Sequence, residues 1–253
     1  MDDPIQRLIP RFRFGTINPR SGGGTERGPG YQFYRIVPTD VMLVSTVLGL
    51  EDYTSEGVEK AISHYWDPVQ FLVREKAGVI VLGGAPVSAQ LGRPRVLSLL
   101  QETKERTGVP GDTPLEAFIA GMKHLGLKTV TVGSRWADQL NNAIIHYLES
   151  AEIKVIGITK RGQWAAESAA MSFEEGLKTA LEVGREAAQL APEADAIFVP
   201  GGAAMSLHVI PALEEEFGKP TLTNLSAEVW NDLVRPRVIP PIKGWGRLLA
   251  GHR

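Results

Sequence analysis

A short pattern that occurs twice is the feature that most constrains the fold of this chain. Residues 80–88 (IVLGGAPVS) are repeated about half a chain later by residues 198–206 (FVPGGAAMS). Each copy is an apolar run followed by two glycines, small residues and a serine. Such a run is typical of a buried strand that turns sharply, because glycine adopts backbone conformations that other residues avoid. The repeat therefore predicts two similar halves, each with a glycine turn.

Short apolar runs alternate with amphipathic stretches along the chain. The apolar runs are rich in Val and Ile without strict alternation, which is typical of parallel strands that are covered on both faces. Strands are predicted at residues 12–17, 41–47, 78–82, 128–132, 153–159, 194–199 and 220–223, and helices at residues 55–75, 113–125, 136–150, 172–190 and 204–217. This alternation predicts an α/β fold with parallel sheets.

Helix-end signals predict where several helices begin and end, and composition predicts two irregular segments. Thr113 before a proline and Ser172 three residues before a glutamate predict helix N-termini. Gly126 and Gly218 predict helix ends. Residues 18–30, with five Gly and two Pro, predict a loop, and the Pro-rich basic residues 235–253 predict a tail packed on the surface or against a neighbouring subunit.

The repeat and the Gly/Pro cluster at residues 108–112 predict a division into two domains. The first would comprise residues 1–111 together with a returning C-terminal segment, residues 221–253. The second would comprise residues 112–220. The predicted fold class is thus α/β, with two pseudo-symmetric Rossmann-like domains built on parallel sheets.

Composition excludes several classes of function. The chain of 253 residues has a net charge of -2, which gives no electrostatic basis for binding nucleic acid or an anionic membrane. It has no cysteine, which excludes disulfides, thiolate metal sites and a cysteine nucleophile. The first residues lack the profile of a signal peptide, and no apolar run has the ~20 residues that span a bilayer. We therefore expect a cytoplasmic protein.

No pattern indicates a metal or a cofactor. The five histidines are scattered and none forms the HExxH pair of a zinc site. There is no Walker A lysine motif, and the glycines at residues 22–24 lack the strand-then-helix context of a dinucleotide fingerprint. We expect neither a metal nor a cofactor.

Ligands of open α/β sheets bind beyond the carboxyl ends of the strands. The residues that follow the predicted strands are therefore the candidates for substrate binding. Glycine turns bring backbone N–H groups close to a ligand, and two facing turns would hold a small carboxylate. The alternative is a tight turn without any ligand. The predicted binding residues are Asn18, Pro19, Gly83, Ala85, Pro86, Ser134, Arg135, Trp136, Gly202, Ala203 and Asn224, with Gly84 and Gly201 at the reacting centre.

Five polar side chains near these turns each have two interpretations. Ser88 and Ser206 are hydroxyl donors to a ligand or partners of the backbone. Arg135 is a bidentate clamp for a carboxylate or a solvated residue at a helix start. Lys160 is a substrate counter-ion or a desolvated base, or it belongs to an exposed basic loop. His208 is a catalytic group near the second turn or a structural histidine.

Several segments resemble the aspartate/glutamate racemase superfamily, and within it the maleate cis-trans isomerases and arylmalonate decarboxylases. They are the two glycine turns, residues 84–92 (GAPVSAQLG), residues 210–220 (IPALEEEFGKP) and residues 223–230 (TNLSAEVW). Residues 14–19 (FGTINP) resemble the first strand of that branch and its proline-bearing substrate loop. The resemblance covers residues 12–234 and is most specific in the second half.

The resemblance implies two pseudo-symmetric α/β domains with an active-site cleft between them. Racemases and maleate isomerases of this superfamily carry one catalytic cysteine in each half, and the decarboxylases keep only the second. This chain has Gly84 or Gly83 at the first of these positions and Gly201 or Pro200 at the second. Two-base racemisation and cysteine addition to a double bond are thereby excluded.

Other positions also depart from the family pattern. Ala85 and Pro86 stand where hydroxyl residues of the dioxyanion pocket are usual, and Pro86 has no N–H to donate. Trp136 replaces a tyrosine of the substrate pocket. The resemblance therefore implies a carboxylate cradle with a more apolar lining.

Together these observations predict a cysteine-independent lyase or isomerase, decarboxylase-like, that acts on a small carboxylic acid. Backbone donors at Gly83, Gly84, Gly201 and Gly202 would stabilise an enediolate-like transition state. The proton would come from water, His208 or Lys160. The alternatives are a non-catalytic protein that binds or senses a small organic acid, and a hydrolase with an unidentified nucleophile. The expected partner is a small carboxylate, with no nucleic acid or membrane, and a homo-oligomer is compatible with the tail.

Overall fold

A computed structural model gives the fold of residues 9–20, 29–163, 171–202 and 205–251. The described strands form two sheets of four strands each, and every pair within them is parallel. The strands are β1 (Phe12–Asn18), β2 (Val41–Val47), β3 (Val79–Leu82), β4 (Gly111–Asp112), β5 (Thr129–Val132), β6 (Lys154–Ile158), β7 (Ala196–Val199) and β8 (Thr221–Thr223).

The two sheets have the same strand order. The first runs β2-β1-β3-β4 and the second runs β6-β5-β7-β8. The first strand of each half thus lies beside the third, and the short fourth strand forms an edge. The prediction of an α/β fold with two similar halves and parallel sheets is confirmed.

Helices cover the sheets. They are α1 (Pro29–Ile36), α2 (Ser55–Ile62), α3 (Trp66–Arg74), α4 (Ala85–Leu91), α5 (Arg93–Thr107), α6 (Pro114–His124), α7 (Asp138–Glu149), α8 (Phe173–Leu190), α9 (Ile210–Phe217), α10 (Asn224–Val229) and α11 (Arg247–Ala250). A 3-10 turn (Ser206–Val209) precedes α9, and a π-helical turn (Trp230–Val234) follows α10.

Most predicted elements are found close to their expected bounds, but several were missed, among them the 15-residue helix α5. The single helix predicted at residues 55–75 is two helices, α2 and α3, and the one predicted at residues 204–217 includes the 3-10 turn. Strand β4 and helices α1, α4, α5 and α11 were not predicted. Helices α4 and α5 each begin after a glycine with positive φ and carry Pro in the first turn. Because glycine and proline are typical of turns, these segments were not recognised as helices.

The predicted helix ends are confirmed. The Thr113 hydroxyl accepts a hydrogen bond from the N–H of Glu116 at the start of α6. Ser172 and Glu175 form a reciprocal capping box at the start of α8. Gly218 ends α9 in the left-handed conformation, with φ of +66°.

The two halves share one hydrophobic core. It contains Phe14 and Phe33 from the first half and Phe118 and Phe198 from the chain beyond β4. The rings of Phe118 and Phe198 stack with centroids 4.1 Å apart. The strands that precede the two glycine turns both contribute to this core, through Val81 and Phe198.

The predicted division into domains stays a prediction, but strand pairing changes one detail of it. Thr221–Thr223 pairs with β7 and so belongs to the second sheet, not to the first half. The chain then contacts the first half: the Nδ2 group of Asn231 donates to Oδ2 of Asp112 at 2.8 Å, and Arg11 donates to the carbonyl of Val238.

Two segments, residues 18–30 and 235–253, were predicted to be irregular, and the structure describes them to different extents. Most of the predicted loop, residues 21–28, lies outside the described residues, and its last two residues begin α1. The tail ends in α11, where Leu248 and Leu249 are buried in the core. Among the described residues, no helix is long and apolar enough to cross a bilayer.

Candidate functional site

The two glycine turns have the same backbone path. Gly84 follows the end of β3 by two residues and has φ of +92°. Gly201 follows the end of β7 by two residues and has φ of +94°. Gly84 therefore corresponds to Gly201, and Gly83 to Pro200. The sequence repeat had paired Gly83 with Gly201 and Gly84 with Gly202. That pairing is wrong by one residue, because the strand ends and the positive φ values pair Gly84 with Gly201.

The first turn is packed against the end of β1. A Cβ built on Gly84 would lie 2.7 Å from Cγ of Pro19, so the proline ring excludes a side chain there. The N–H of Gly83 donates to the carbonyl of Ile17 at 2.9 Å. Gly83 is thus not available as a donor to a ligand, contrary to the prediction.

The first turn of α4 offers the other donors. Within the described part of the chain, the N–H groups of Gly84 and Ala85 have no hydrogen-bond acceptor, as is usual at a helix start. Ala85 and Pro86 are buried, and Pro86 has no N–H. The Oγ of Ser88, one turn further on, is buried and without a partner among the described residues.

The second turn is packed against a buried cation. A Cβ built on Gly201 would lie 2.7 Å from Nη1 and 3.0 Å from Nη2 of Arg135. Arg135 is only 5% exposed, and its guanidinium lies over the ring of Trp136. Burial lowers the pKa of Arg135 to about 10, and the nearby Tyr53 acts in the opposite direction. The sequence allowed two interpretations of Arg135, a clamp for a carboxylate or a solvated residue at a helix start. Because Arg135 is buried at the turn, it is not a solvated residue.

A glutamine from the first half holds the second turn. The Nε2 group of Gln32 donates to the carbonyl of Gly202 at 2.6 Å, and its Oε1 accepts from the N–H of Leu207 at 3.0 Å. Gln32 lies on α1, which sequence reasoning did not detect. Ala203, a predicted binding residue, lies outside the described residues.

Ser134 has a structural role instead of the predicted contact with substrate. Its hydroxyl donates to Oδ1 of Asn141 at 2.6 Å and accepts from the N–H of Trp136 at 3.1 Å. Thr159 donates to its carbonyl at 2.7 Å. Because its single proton is used in this buried network, Ser134 positions the loop that carries Arg135 and Trp136. Trp136 is itself buried in the shared core.

The structure contradicts one of the two predicted proton carriers, Lys160, whereas the role of His208 stays a prediction. Nζ of Lys160 forms an ion pair with Asp138 at 2.8 Å, and the lysine side chain is 63% exposed. Lys160 is therefore not desolvated, and its prediction as a buried base is wrong. His208 stacks on Tyr31 and meets the edge of Trp245. Burial and then Arg35 lower the pKa of His208.

The other predicted residues lie at strand ends. Asn18 ends β1, and its carbonyl accepts from the N–H of Leu48 at 2.8 Å. Asn224 begins α10 directly after β8, and its buried Oδ1 has no partner among the described residues. Both backbone positions agree with the rule that ligands meet the carboxyl ends of strands. Their contact with substrate stays a prediction.

Sequence reasoning missed Tyr53, which lies in the loop after β2. Its carbonyl accepts from Nε2 of Gln90 on α4 at 2.8 Å. Burial raises the pKa of Tyr53, and the charges of Arg20 and Arg135 oppose this effect. The signal was available, because the predicted strand at residues 41–47 also has a carboxyl end, and Tyr53 follows it.

Sequence reasoning also missed three buried carboxyl groups, those of Asp112, Glu228 and Asp232. Burial raises the pKa of Glu228 to about 8 and that of Asp112 to about 6, and it raises the pKa of Asp232. Asp112 additionally accepts from the N–H of Thr113 at 2.7 Å. No group of three or more His, Cys, Asp or Glu side chains in the described ranges is arranged to hold a metal ion.

Comparison with known proteins shows the family to which the chain belongs. The family model for arylmalonate decarboxylase matches residues 31–249. The chain belongs to the arylmalonate decarboxylase family. Within this family, arylmalonate decarboxylase of Bordetella bronchiseptica is 27% identical over 201 residues, which cover 79% of this chain and 82% of that protein. The resemblance drawn from the sequence is confirmed.

Solved structures show the same fold. A liganded double mutant of arylmalonate decarboxylase, with one Gly-to-Cys and one Cys-to-Ser change, superimposes with a TM-score of 0.82 at 24% identity. The match covers 94% of this chain and 98% of that one. A maleate cis-trans isomerase mutant of Nocardia farcinica, with a covalent succinylcysteine intermediate, gives a TM-score of 0.81 at 19% identity, covering 96% and 99%.

Membership of the arylmalonate decarboxylase family makes the chain an enzyme of the decarboxylase type. The solved isomerase carries its intermediate on a cysteine. This member of the family has no cysteine anywhere in its sequence. A cysteine therefore has no part in the chemistry of this chain.

Proposed function

We propose that this protein is a cysteine-independent decarboxylase that acts on a small dicarboxylic acid of the substituted malonate class. The observation that carries the proposal is the buried guanidinium of Arg135, whose Nη1 lies 2.7 Å from the place of a Cβ on Gly201. The resemblance puts the family cysteine at Gly201 or Pro200, so the cation lies beside one of the two positions that the thiol would take. Its charge attracts a carboxylate, and its two terminal nitrogens match the two carboxylate oxygens.

The first turn supplies neutral donors for the same ligand. The N–H groups of Gly84 and Ala85 lie at the start of α4, where the helix dipole favours negative charge. Arg135 is held beside Trp136 by the buried network of Ser134 and Asn141. The proposal therefore assigns charge to the second turn and backbone hydrogen bonds to the first.

Loss of CO₂ from a malonate leaves an electron pair that spreads over the remaining carboxylate as an enediolate. The negative charge on its oxygens is larger than in the substrate, so fixed donors and a cation stabilise it more than they stabilise the substrate. Removal of one such donor commonly costs roughly 3–4 kcal/mol. Decarboxylation needs one protonation, whereas racemisation needs two opposed bases, which favours a decarboxylase for a chain without thiols.

The proposal is tested by incubating the purified protein with substituted malonates, maleate and amino acids over a range of pH. We expect CO₂ and a monocarboxylic acid from a malonate, and no product from maleate or amino acids. If no compound is turned over at any pH and none raises the melting temperature, the proposal is wrong.

A second candidate is a protein that binds or senses a small organic acid without converting it. The absence of every cysteine favours this alternative, because the family thiol is lost while a buried cation is present that would attract a carboxylate. Thermal-shift measurements beside turnover assays separate the two functions. Stabilisation by an acid without product formation would support the binding protein.

Restoring a thiol probes the inherited geometry. In Gly201→Cys the sulfur would lie beside Arg135, whose flexible end has to move, and the cation would lower the thiol pKa. We expect faster decarboxylation or a new isomerase activity. Gly84→Cys is the matched control, because the Pro19 ring blocks its side chain. Equal gains in both variants would contradict the assignment of the second turn.

A further inference from the structure

Gln32 on α1 is a buried side chain of the first half that contacts the second glycine turn. It is only 1% exposed, and both ends of its amide group form hydrogen bonds. Nε2 donates to the carbonyl of Gly202 at 2.6 Å, and Oε1 accepts from the N–H of Leu207 at 3.0 Å. Because a backbone carbonyl only accepts and a backbone N–H only donates, an amide satisfies both groups, whereas a carboxylate or a hydrocarbon does not.

The neighbours of Gln32 in the sequence hold α1 against the second half. Phe33 is fully buried in the shared core. Tyr31 stacks on His208, with ring centroids 5.9 Å apart. Tyr31 and Gln32 thus contact two consecutive residues of the 3-10 turn, His208 and Leu207. A helix of the first half is therefore attached to the second turn at two adjacent points.

The carbonyl of Gly202 accepts two hydrogen bonds. Besides the bond from Gln32, it accepts one from the N–H of Met205 at 3.2 Å. A carbonyl oxygen has two lone pairs, so both are used within the protein. An unbound carbonyl oxygen beside a carboxylate would repel it, because both carry negative charge. The two donors therefore remove an unfavourable group from the proposed anion site.

Packing alone does not fix the conformation of Gly202. A Cβ built on this residue would meet no atom within 4 Å, and glycine has a wide choice of backbone conformations. Among the described residues, the N–H groups of Gly201 and Gly202 have no acceptor. Successive free N–H groups at such a turn form a concave site for an anion. The direction of these donors therefore depends on the hydrogen bonds that hold the turn.

We propose that Gln32 is a positioning residue for the second turn, a role that rests on the proposed decarboxylase. Its amide holds the carbonyl of Gly202 towards the protein, so that the N–H groups of Gly201 and Gly202 face the same anion as the guanidinium of Arg135. Gln32 acts through the turn and does not touch the substrate. The first half thereby completes the anion site of the second half.

The kinetic test uses Gln32→Met, which removes both hydrogen bonds and keeps a side chain of similar length. We expect kcat for the substituted malonate that is turned over fastest to fall about 10- to 100-fold, because a displacement of about 1 Å at a catalytic site costs up to about 100-fold. KM should stay within about threefold, because the charge of Arg135 remains.

Tyr65→Phe is the matched control for the loss of a buried hydrogen bond. The Tyr65 hydroxyl lies 2.9 Å from Oγ1 of Thr103, and Tyr65 belongs to a cluster formed by residues of the first half. This variant should lower the melting temperature, because a buried polar group loses its partner, but it should keep kcat within twofold of wild type. A loss of kcat as large as in Gln32→Met would assign both effects to stability and overturn the positioning role.

A binding measurement tests the same role without turnover. Calorimetric titrations compare phenylmalonate with the nitronate anion of phenylnitromethane, which is planar and carries its charge on two oxygens, as the enediolate does. Gln32→Met should bind the nitronate at least about 10-fold more weakly than wild type and phenylmalonate within about threefold, because the positioned donors match the enediolate. Equal changes for the two ligands, or no change, would contradict the role of Gln32.

Gln32→Glu tests whether a donor is needed at this position. The ionised carboxylate has no proton for the carbonyl of Gly202, whereas the protonated form donates with one oxygen and accepts with the other. Burial raises the pKa of the introduced carboxyl group above its ordinary value. The ratio of its kcat to that of wild type should therefore be low at pH 8 and rise as the pH falls through that pKa. Gln32→Met should show no such recovery, and a ratio for Gln32→Glu that is independent of pH would contradict the proposal.

The two proposals fail on different results. Wild-type turnover that persists within twofold in Gln32→Met would overturn the role of Gln32 alone. Absence of turnover of every malonate by the wild-type protein, with nitronate binding that depends on Gln32, would overturn the decarboxylase and leave Gln32 as the residue that organises an anion site. A wild-type protein that binds neither phenylmalonate nor the nitronate would overturn both.

Discussion

The first and second glycine turns share a backbone conformation but have opposite surroundings. Gly84 and Gly201 have φ values of +92° and +94° at equivalent positions after their strands. The ring of Pro19 faces the first turn, whereas the guanidinium of Arg135 faces the second. One half thus provides a neutral, apolar contact and the other a buried positive charge. A duplicated fold therefore does not imply duplicated chemistry.

The difference arises from the strand next to each turn. In both sheets the turn follows the third strand of its half, and the first strand lies beside it. Pro19 follows the first strand of the first half, and Arg135 follows the first strand of the second half. A residue that follows this neighbouring strand can face the turn without altering its backbone. Its identity can therefore differ between halves of the same fold.

Loss of the cation should have the largest effect. In Arg135→Gln we expect kcat/KM for a malonate to fall by about 100- to 1000-fold, because a charged donor to the enediolate is removed. The measurement is steady-state turnover, with folding checked by circular dichroism. Arg185→Gln is the control, because Arg185 forms an exposed ion pair with Glu216, and its activity should remain unchanged. Equal losses in the two variants would remove the distinction between the turns.

Adding a methyl group to each turn should separate them by stability. Both substitutions force a non-glycine residue into a strained conformation at about 1–3 kcal/mol. In Gly84→Ala the methyl also meets the rigid ring of Pro19, whereas in Gly201→Ala it meets the movable end of Arg135. We expect Gly84→Ala to lose about 1 kcal/mol more free energy of unfolding in urea titrations. The reverse order would contradict the packing of the first turn.

Alkaline pH should affect the second turn selectively. Burial lowers the pKa of Arg135 to about 10, so the guanidinium is charged below that pH and neutral above it. Carboxylate affinity should therefore be full below pH 9 and decrease as the pH rises through about 10, at up to tenfold per pH unit. Calorimetric titration with a malonate measures the effect. Arg135→Gln should bind weakly without this step, and an unchanged profile in that variant would refute the assignment.

The smallest effect is expected at Lys160. It lies after β6 in the second half, in an exposed ion pair with Asp138. Such pairs contribute about 0–1 kcal/mol, so Lys160→Ala should change the free energy of unfolding by less than about 0.5 kcal/mol. Its kcat should remain within twofold of wild type. A large loss of activity would extend the cationic site beyond Arg135.

Local patterns predicted the elements with a clear hydrophobic period well, and they missed very short elements and helices that begin with glycine and proline. Periodicity was sufficient for β2 and α8, where the observed bounds agree with the predicted ones within a residue. Strand β4 has only two residues and cannot show a period. Helices α4 and α5 begin with glycine and proline, which indicate turns when they are read without the helix that follows.

The sequence did not show which side chains at the strand ends are buried, nor which residues far apart in sequence lie close together. The rule that ligands bind at the carboxyl ends of strands selected Arg135 and both glycines, and the structure places Arg135 beside Gly201. The same rule did not distinguish Lys160, whose side chain is in water, from Arg135, whose side chain is almost fully buried. Gln32 and the second turn are far apart in sequence, and nothing in a linear pattern relates them.

The sequence by itself determined the α/β class, the two similar halves, the family resemblance and the loss of thiol chemistry. These properties depend on local periodicity, on a repeated motif and on the residue types present. Only the tertiary structure decided that Gly84 corresponds to Gly201 and that Arg135 occupies the space beside Gly201. Burial and proximity arise when distant strands align and exclude water, and they change the chemistry of side chains that the sequence alone presents as equivalent.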